Sequence, residues 1–284
     1  MKFVRFRKDG KVFLGLQKEN FLCDIAPVLA EMGAKPATEL ENLITQNLDL
    51  SMLEQKAQKG KFDISVDKVE FLTPIVNSNK VICAALNYHS HIEEMNKETP
   101  KKPYLFLKAP TTLTGHKQPV YNPKGCSILS FEAELAVIIG KEGKGITKEN
   151  AFDYVFGYTI MNDVSARDIG KTNIATIEVD WYCMKSFDTA GPLGPCVVTK
   201  DEIPEPNKLH IQLTVNGEVK QDVNTSLMVY QIPKLIEFVS ENNTLMPGDI
   251  IATGTMGGAK GTVVVGDVMV ITAEGIGALQ NTVE

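Results

Sequence analysis

The chain has 284 residues, 43% hydrophobic and 23% charged, with a net charge of −6. That is the composition of an ordinary globular protein, with length enough for one large domain or a domain plus a smaller one. The acidic balance, with a pI near 5.4 and no long run of Lys and Arg, excludes a phosphate-tracking nucleic-acid surface. Five cysteines, at 23, 83, 126, 183 and 196, are odd in number and widely spaced. They argue against a disulfide framework or structural zinc and for a reducing compartment. The first residues are basic without an apolar segment behind them, and no stretch reaches transmembrane length, so we expect a cytoplasmic protein with no membrane role.

In chain order, Phe3–Phe6 and Lys11–Leu16 flank Asp9-Gly10 and predict a hairpin. Residues 39–58 carry Leu40, Leu43, Ile44, Leu48 and Leu53 at helical spacing, and a strand-like stretch runs to Leu72. Residues 1–72 read as a small N-terminal α+β domain, and 73–284 as the main domain. There Val81–Leu86 is a short buried strand, and His89–Lys97 is polar and helix-compatible. Strand-like runs follow at 104–108, 134–139, 155–161, 196–199, 210–215, 250–253, 262–265 and 268–272. Helical patterns cover only 147–154 and 231–240. Asn216-Gly217 is a second hairpin turn. The fold class is α+β, strand-dominated, without βαβ alternation.

Glu132 and Glu134 lie two apart in the apolar run Phe131–Gly140, so both point to one face of a strand. Asp163 ends a second apolar run. Buried carboxylates are costly unless paired or bound to a cation. Three of them suit a hard divalent ion; the alternative is that they pair with Lys and Arg side chains at a strand edge. Tyr88, His91 and Glu94 follow the buried 81–86 strand. At i and i+3, His91 and Glu94 share a helix face, where a carboxylate can fix the imidazole tautomer and raise its basicity; a solvated helix start reads the same way. Lys108 ends an apolar strand, and Lys185 precedes Ser186-Phe187-Asp188. Either lysine suits an oxyanion. Gly and Thr in Thr253-Gly254-Thr255 suit a carboxylate pocket, and Gly254–Gly261 lacks a Walker lysine.

Taken in order, these segments resemble the fumarylacetoacetate hydrolase (FAH) family over about residues 80–283. The matching pieces are Leu86-Asn87-Tyr88 with His91 and Glu94, Phe106-Leu107-Lys108 and Glu132-Ala133-Glu134-Leu135. They continue with Asn162–Asp168, Lys185–Asp188, Val215–Glu218 and Pro247-Gly248-Asp249 with Thr253-Gly254-Thr255. The resemblance, to its acylpyruvase and 2-hydroxyhepta-diene-dioate isomerase-like branch, implies a mixed β-sandwich roll and a homodimer. It implies one Mg²⁺ or Mn²⁺ per subunit on Glu132, Glu134 and Asp163. Catalytic roles fall on His91, Glu94 and Lys185, with the first two on a lid where they activate a water. Tyr88, Lys108, Arg167 and Thr255 are the expected substrate contacts, Arg167 serving equally as an ion-pair partner. Departures fall at Met256, where the family usually has Pro; at Gly170, where many relatives carry Gln; at the additional His89; and in the loop from Thr172 to Asp180.

The expected reaction is metal-dependent hydrolysis of a C–C bond in a 2,4-dioxo acid, an acylpyruvate or fumarylpyruvate-like small molecule. Oxaloacetate decarboxylation, or hydration or isomerisation of a dienoic acid, is the alternative. A non-catalytic metal-binding scaffold would not need the His91–Glu94 pair.

Overall fold

The computed structural model describes residues 1–174 and 177–284. The strand Ala133–Ile139 is buried at every position, and its side chains alternate between two cores. Leu135, Val137 and Ile139 enter one and Ala136 and Ile138 the other. A run apolar on both faces belongs in the middle of a sheet. Accordingly it pairs antiparallel with Val155–Asn162 on one side and with Ile250–Ala252 on the other.

The large sheet continues outward in both directions. Beyond Val155–Asn162 lies Gly191–Thr199, and beyond that Lys2–Lys8, through Lys2 opposite Val198 and Phe3 opposite Val197. The N-terminal hairpin, Lys2–Lys8 with Lys11–Lys18, turns at Asp9 and Gly10, both at positive φ. Hydrogen-bonded sheet thus runs unbroken from the first residues into the main domain. On the other flank Val81–Ala85 pairs parallel with Ile250–Ala252, and Tyr104–Lys108 closes the edge. A second, four-stranded antiparallel sheet of Glu218–Asn224, His210–Val215, Val268–Ala273 and Gly277–Thr282 packs against the first. The architecture is strand-dominated with mixed sheets, as the sequence pattern predicts.

Three local expectations change. Residues 39–58 form two helices, Leu40–Ile44 and Leu50–Gln58, because Asn47 takes positive φ and Asp49 caps the second. Of 147–154, only Ala151–Tyr154 is helical, as a single 3₁₀ turn. Residues 262–265 make no strand; Val263 forms an isolated bridge to Leu129. The Gly191-Pro192-Leu193-Gly194-Pro195 stretch, rich in turn residues, is the first half of a nine-residue strand.

Candidate active site

The parallel pairing of Val81–Ala85 with Ile250–Ala252 decides where the site forms. Parallel strands end on the same edge, so the turn at Leu86–Tyr88 and the turn at Thr253–Thr255 emerge side by side. Asn87 ties them, its Nδ2 donating to the Thr253 carbonyl at 2.7 Å and the Tyr230 carbonyl at 2.9 Å. Gly254 is confined there: at φ +96° a Cβ would lie 2.7 Å from Asn87 Cβ and 2.9 Å from the Ala84 carbonyl. Its N–H donates to Glu134 Oε2 at 2.8 Å.

Glu132 and Glu134 flank Ala133, which lies opposite Asn162. Asp163 continues that strand, its N–H donating to the Glu132 carbonyl at 2.9 Å. The three carboxylates are buried and offer oxygens that all lie within 4.8 Å of one another. The ion-pairing alternative is realised at the same place. Lys108 Nζ donates to Asp163 Oδ1 at 2.7 Å. Lys185 Nζ donates to Glu132 Oε2 and Asp163 Oδ2, each at 2.8 Å. Arg167 Nη2 donates to Glu132 Oε1 at 2.9 Å. Lysines and arginine oppose the carboxylates three against three, and Glu134 is the acid without a cationic hydrogen-bond donor.

The titration of the acids reflects this division. Burial, with the Asp163 and Glu132 charges behind it, pushes Glu134 well above the usual carboxylate range. Burial opposes ionisation of Glu132 too, but Lys185 and Arg167 outweigh it and bring Glu132 down to about 2. A buried carboxylate whose ionisation is disfavoured by burial and by two neighbouring acids, all oxygens convergent, is the environment that a divalent cation relieves. The donor set therefore fits the metal that the sequence suggests.

Over this cluster opens a cavity of about 550 Å³. Glu132, Arg167, Lys185, His91 and Thr255 line its polar end. Tyr104, Phe106, Trp181, Met95 and Met184 line the remainder. The Trp181 and Phe106 rings stack at 4.6 Å, and Lys185 Nζ sits 5.4 Å from the Phe106 centroid. Lys185 reaches the acids because it ends the helix Trp181–Lys185, which Asp180 caps through the Cys183 N–H. Gly170 lies beneath: a Cβ there would meet Met184 Cβ at 2.4 Å, so Met184 fills the space that a larger residue would take.

His91 and Glu94 lie on the helix His89–Glu94, with Nδ1 and Oε2 3.1 Å apart. His91 is buried and lines the cavity. Glu94 does not line it; its Oε1 accepts from the Gly258 and Lys260 amides at 3.2 and 3.3 Å. Nδ1 faces Glu94, which leaves Nε2 for the cavity. His89 is exposed.

Of the expected substrate contacts, Arg167 and Thr255 line the cavity and Tyr88 and Lys108 do not. Arg167 is also an ion-pair partner, with Nε on Ser130 Oγ at 2.6 Å and Nη2 on the Ala259 carbonyl at 2.8 Å. Tyr88 is buried with no hydrogen-bond partner for its hydroxyl, and burial, with the Glu134 charge after it, pushes its pKa up. Met256 is buried in the core below the Thr255 turn. The Thr172–Asp180 segment forms two short strands, Lys171–Ile174 and Ile177–Val179; residues 175 and 176 lie outside the described residues.

Sequence reasoning missed Gln221. It is buried on the second sheet, accepts from the Ala133 N–H at 2.9 Å and donates to Thr255 Oγ1 at 2.9 Å and the Met256 carbonyl at 3.1 Å. It therefore fixes the glutamate strand against the threonine turn. A lone Gln in a polar strand carries no signal of this.

Residues 80–284 match the family described as fumarylacetoacetate (FAA) hydrolase, C-terminal. The chain belongs to the fumarylacetoacetate hydrolase family, a family of enzymes. It is 43% identical to oxaloacetate tautomerase YisK of Bacillus subtilis, over all of both chains. It is 33% identical to a fumarylacetoacetate hydrolase of Exiguobacterium antarcticum, with a TM-score of 0.82 over 100% of this chain and 99% of that one. It is 32% identical to the maleylpyruvate hydrolase of Sphingobium sp. SYK-6, solved in complex with manganese(II) ion and pyruvate. There the TM-score is 0.81 over 100% of this chain and 98% of that one.

Proposed function

We propose that the protein is a divalent-cation-dependent enzyme that enolises a 2-oxo acid, and that its reaction is the keto–enol interconversion of oxaloacetate. The observation that carries this reading is the division of roles in the dyad. His91 alone opens onto the cavity, while Glu94 is held by His91 and two backbone amides. Moving a proton between C3 and the enol oxygen needs one positioned base, not two. The full-length similarity to an oxaloacetate tautomerase supports the choice of substrate.

In this reading Glu132, Glu134 and Asp163 hold Mg²⁺ or Mn²⁺. Bound there, the ion supplies Lewis acidity to the 2-oxo acid's oxygens. The chain's own residues do the rest. Glu94 fixes the Nδ1–H tautomer, so His91 Nε2 carries the lone pair that takes the C3 proton. Two of the three Lys185 ammonium protons sit on carboxylates; the third is held only by the Asp163 carbonyl at 3.4 Å. It is the donor for charge developing on the enol oxygen. Arg167 and Thr255 orient the carboxylate, and the Trp181–Phe106 wall excludes water. With the acids already balanced by Lys108, Lys185 and Arg167, a divalent ion leaves the site with surplus positive charge. A dianionic substrate suits that surplus.

Cleavage of an acylpyruvate by water is the second reading. The cavity's size and aromatic walls favour it, since they exceed what a four-carbon acid fills. His91 then takes its proton from water. Three assays with Mg²⁺ and with Mn²⁺ decide: enol-to-keto conversion of oxaloacetate, loss of CO₂ from oxaloacetate, and cleavage of acetylpyruvate. We expect the first to be fastest and to stop on chelation. If acetylpyruvate cleavage is faster, hydrolysis replaces tautomerisation; if CO₂ loss is faster, decarboxylation does.

A further inference from the structure

Among the described residues three cationic side chains line the cavity: Arg167, Lys185 and Lys97. The first two are committed. Arg167 holds Glu132, Ser130 and the Ala259 carbonyl, and Lys185 bridges Glu132 and Asp163. Lys97 differs. It follows the His89–Glu94 helix, its N–H on the Ile92 carbonyl, and its Nζ lies 2.8 Å from Glu178 Oε2. Glu178 belongs to Ile177–Val179, lines the same cavity, and is 73% exposed in its side chain against 44% for Lys97. The pair therefore joins two chain segments across the cavity's solvent side. An exposed ion pair of this kind is worth little and exchanges readily for another carboxylate.

We propose that Lys97 is the specificity residue for the far end of the substrate: it leaves Glu178 to hold a second carboxylate, and so selects dicarboxylic over monocarboxylic 2-oxo acids. The inference rests on the reading that the acid cluster end takes a 2-oxo acid. A carboxylate at the far end is the feature that Lys97 alone, among the described cations lining the cavity, is placed to recognise, since Arg167 and Lys185 are held at the acid cluster. The wall on the way to it is apolar and contributes fit without discrimination of charge.

The test separates this from the reaction itself. Calorimetry of the Mn²⁺-loaded protein compares malate with 2-hydroxybutyrate, two acids of equal length that differ by a carboxylate for a methyl group. Wild type should prefer malate by about 2- to 5-fold, as expected for one exposed charge pair. Lys97→Met should bring the preference close to unity while leaving 2-hydroxybutyrate affinity in place. Glu178→Gln, which frees Lys97, should tighten malate alone. A Lys97→Met protein that keeps the malate preference overturns the inference, as does wild type without a preference. Oxaloacetate assays on wild type run alongside. If oxaloacetate is not converted yet Lys97→Met loses the preference, the proposed reaction fails and the inference stands.

Discussion

The two halves of the cavity are built on opposite principles. At the acid cluster the three carboxylates and Arg167 come from buried strands or the residue next to one, Lys108 from the end of the edge strand and Lys185 from the buried end of a helix, and the cations meet the acids within 3 Å. At the rim, residues 95–97 and, among the described residues, 171–174 and 177–179 are rich in exposed side chains and are joined by the exposed Lys97–Glu178 ion pair. In a low-dielectric interior charges are expensive to move, so the first half is preorganised and stays so. The second half can rearrange at small cost. Chemistry is placed where rearrangement is penalised, and selection where it is permitted.

The largest expected effect breaks the rigid half. Glu134→Ala removes the acid that lacks a cationic donor, and with it a ligand for the ion. Turnover should fall by at least about 10³-fold, as loss of several kcal/mol of Lewis-acid stabilisation requires. Thermal melting of the metal-free protein should not fall, because burial and the two neighbouring acids disfavour the charge of the residue removed. Unchanged Mn²⁺ affinity by calorimetry would refute the ligand assignment.

A smaller effect sharpens the boundary between the halves. Glu94→Gln keeps an oxygen for the Gly258 and Lys260 amides but turns an NH₂ toward His91 Nδ1. The imidazole then holds its proton on the wrong nitrogen. We expect kcat to drop about 10²-fold and its pH profile to change, with melting and Mn²⁺ affinity near wild type. A loss of stability with the pH profile intact would make the segment a packing element instead.

The acids and the dyad were legible in the sequence; the partners that hold them, and the rim, were not. Glu132 and Glu134 announce themselves because carboxylates two apart in an otherwise apolar strand violate the rule for buried chain. His91 and Glu94 are legible as a pair because i, i+3 spacing on one short helix fixes their distance. What was hidden depends on register between strands far apart in sequence. Asn87 meets Thr253, and Gln221 meets Ala133 and Thr255, through pairings that no local pattern encodes. Lys108, expected on the substrate, has its ammonium on Asp163 for the same reason: the sheet edge, not the strand's own sequence, aims it. Met256, a departure from the family pattern, is a core residue under the turn. The N-terminal boundary was read from a change in pattern near residue 72, while the backbone pairing of Lys2 and Phe3 carries the sheet across it.

That seam provides the smallest of the expected effects, one that touches stability and leaves the site alone. His116 packs edge-on against Phe71, ring centroids 5.1 Å apart, and its Nδ1 accepts the Gln280 N–H at 3.0 Å. The hydrogen bond needs a ring with Nδ1 unprotonated. Burial, and the Lys117 charge after it, lower its pKa from 6.5 to about 4. Between those values the unfolded chain binds a proton that the folded chain refuses. Stability is therefore intact above pH 6.5 and declines as pH falls toward 4. The decline should amount to about 1–2 kcal/mol, discounted for the part of the ring that water reaches. His116→Asn keeps an acceptor for the Gln280 N–H and cannot titrate. Denaturant unfolding across this window should show a shallower pH slope in the variant than in wild type, with Mn²⁺ affinity at pH 7.5 equal in both. Equal slopes would remove His116 as the cause and shift the acid sensitivity to the carboxylates.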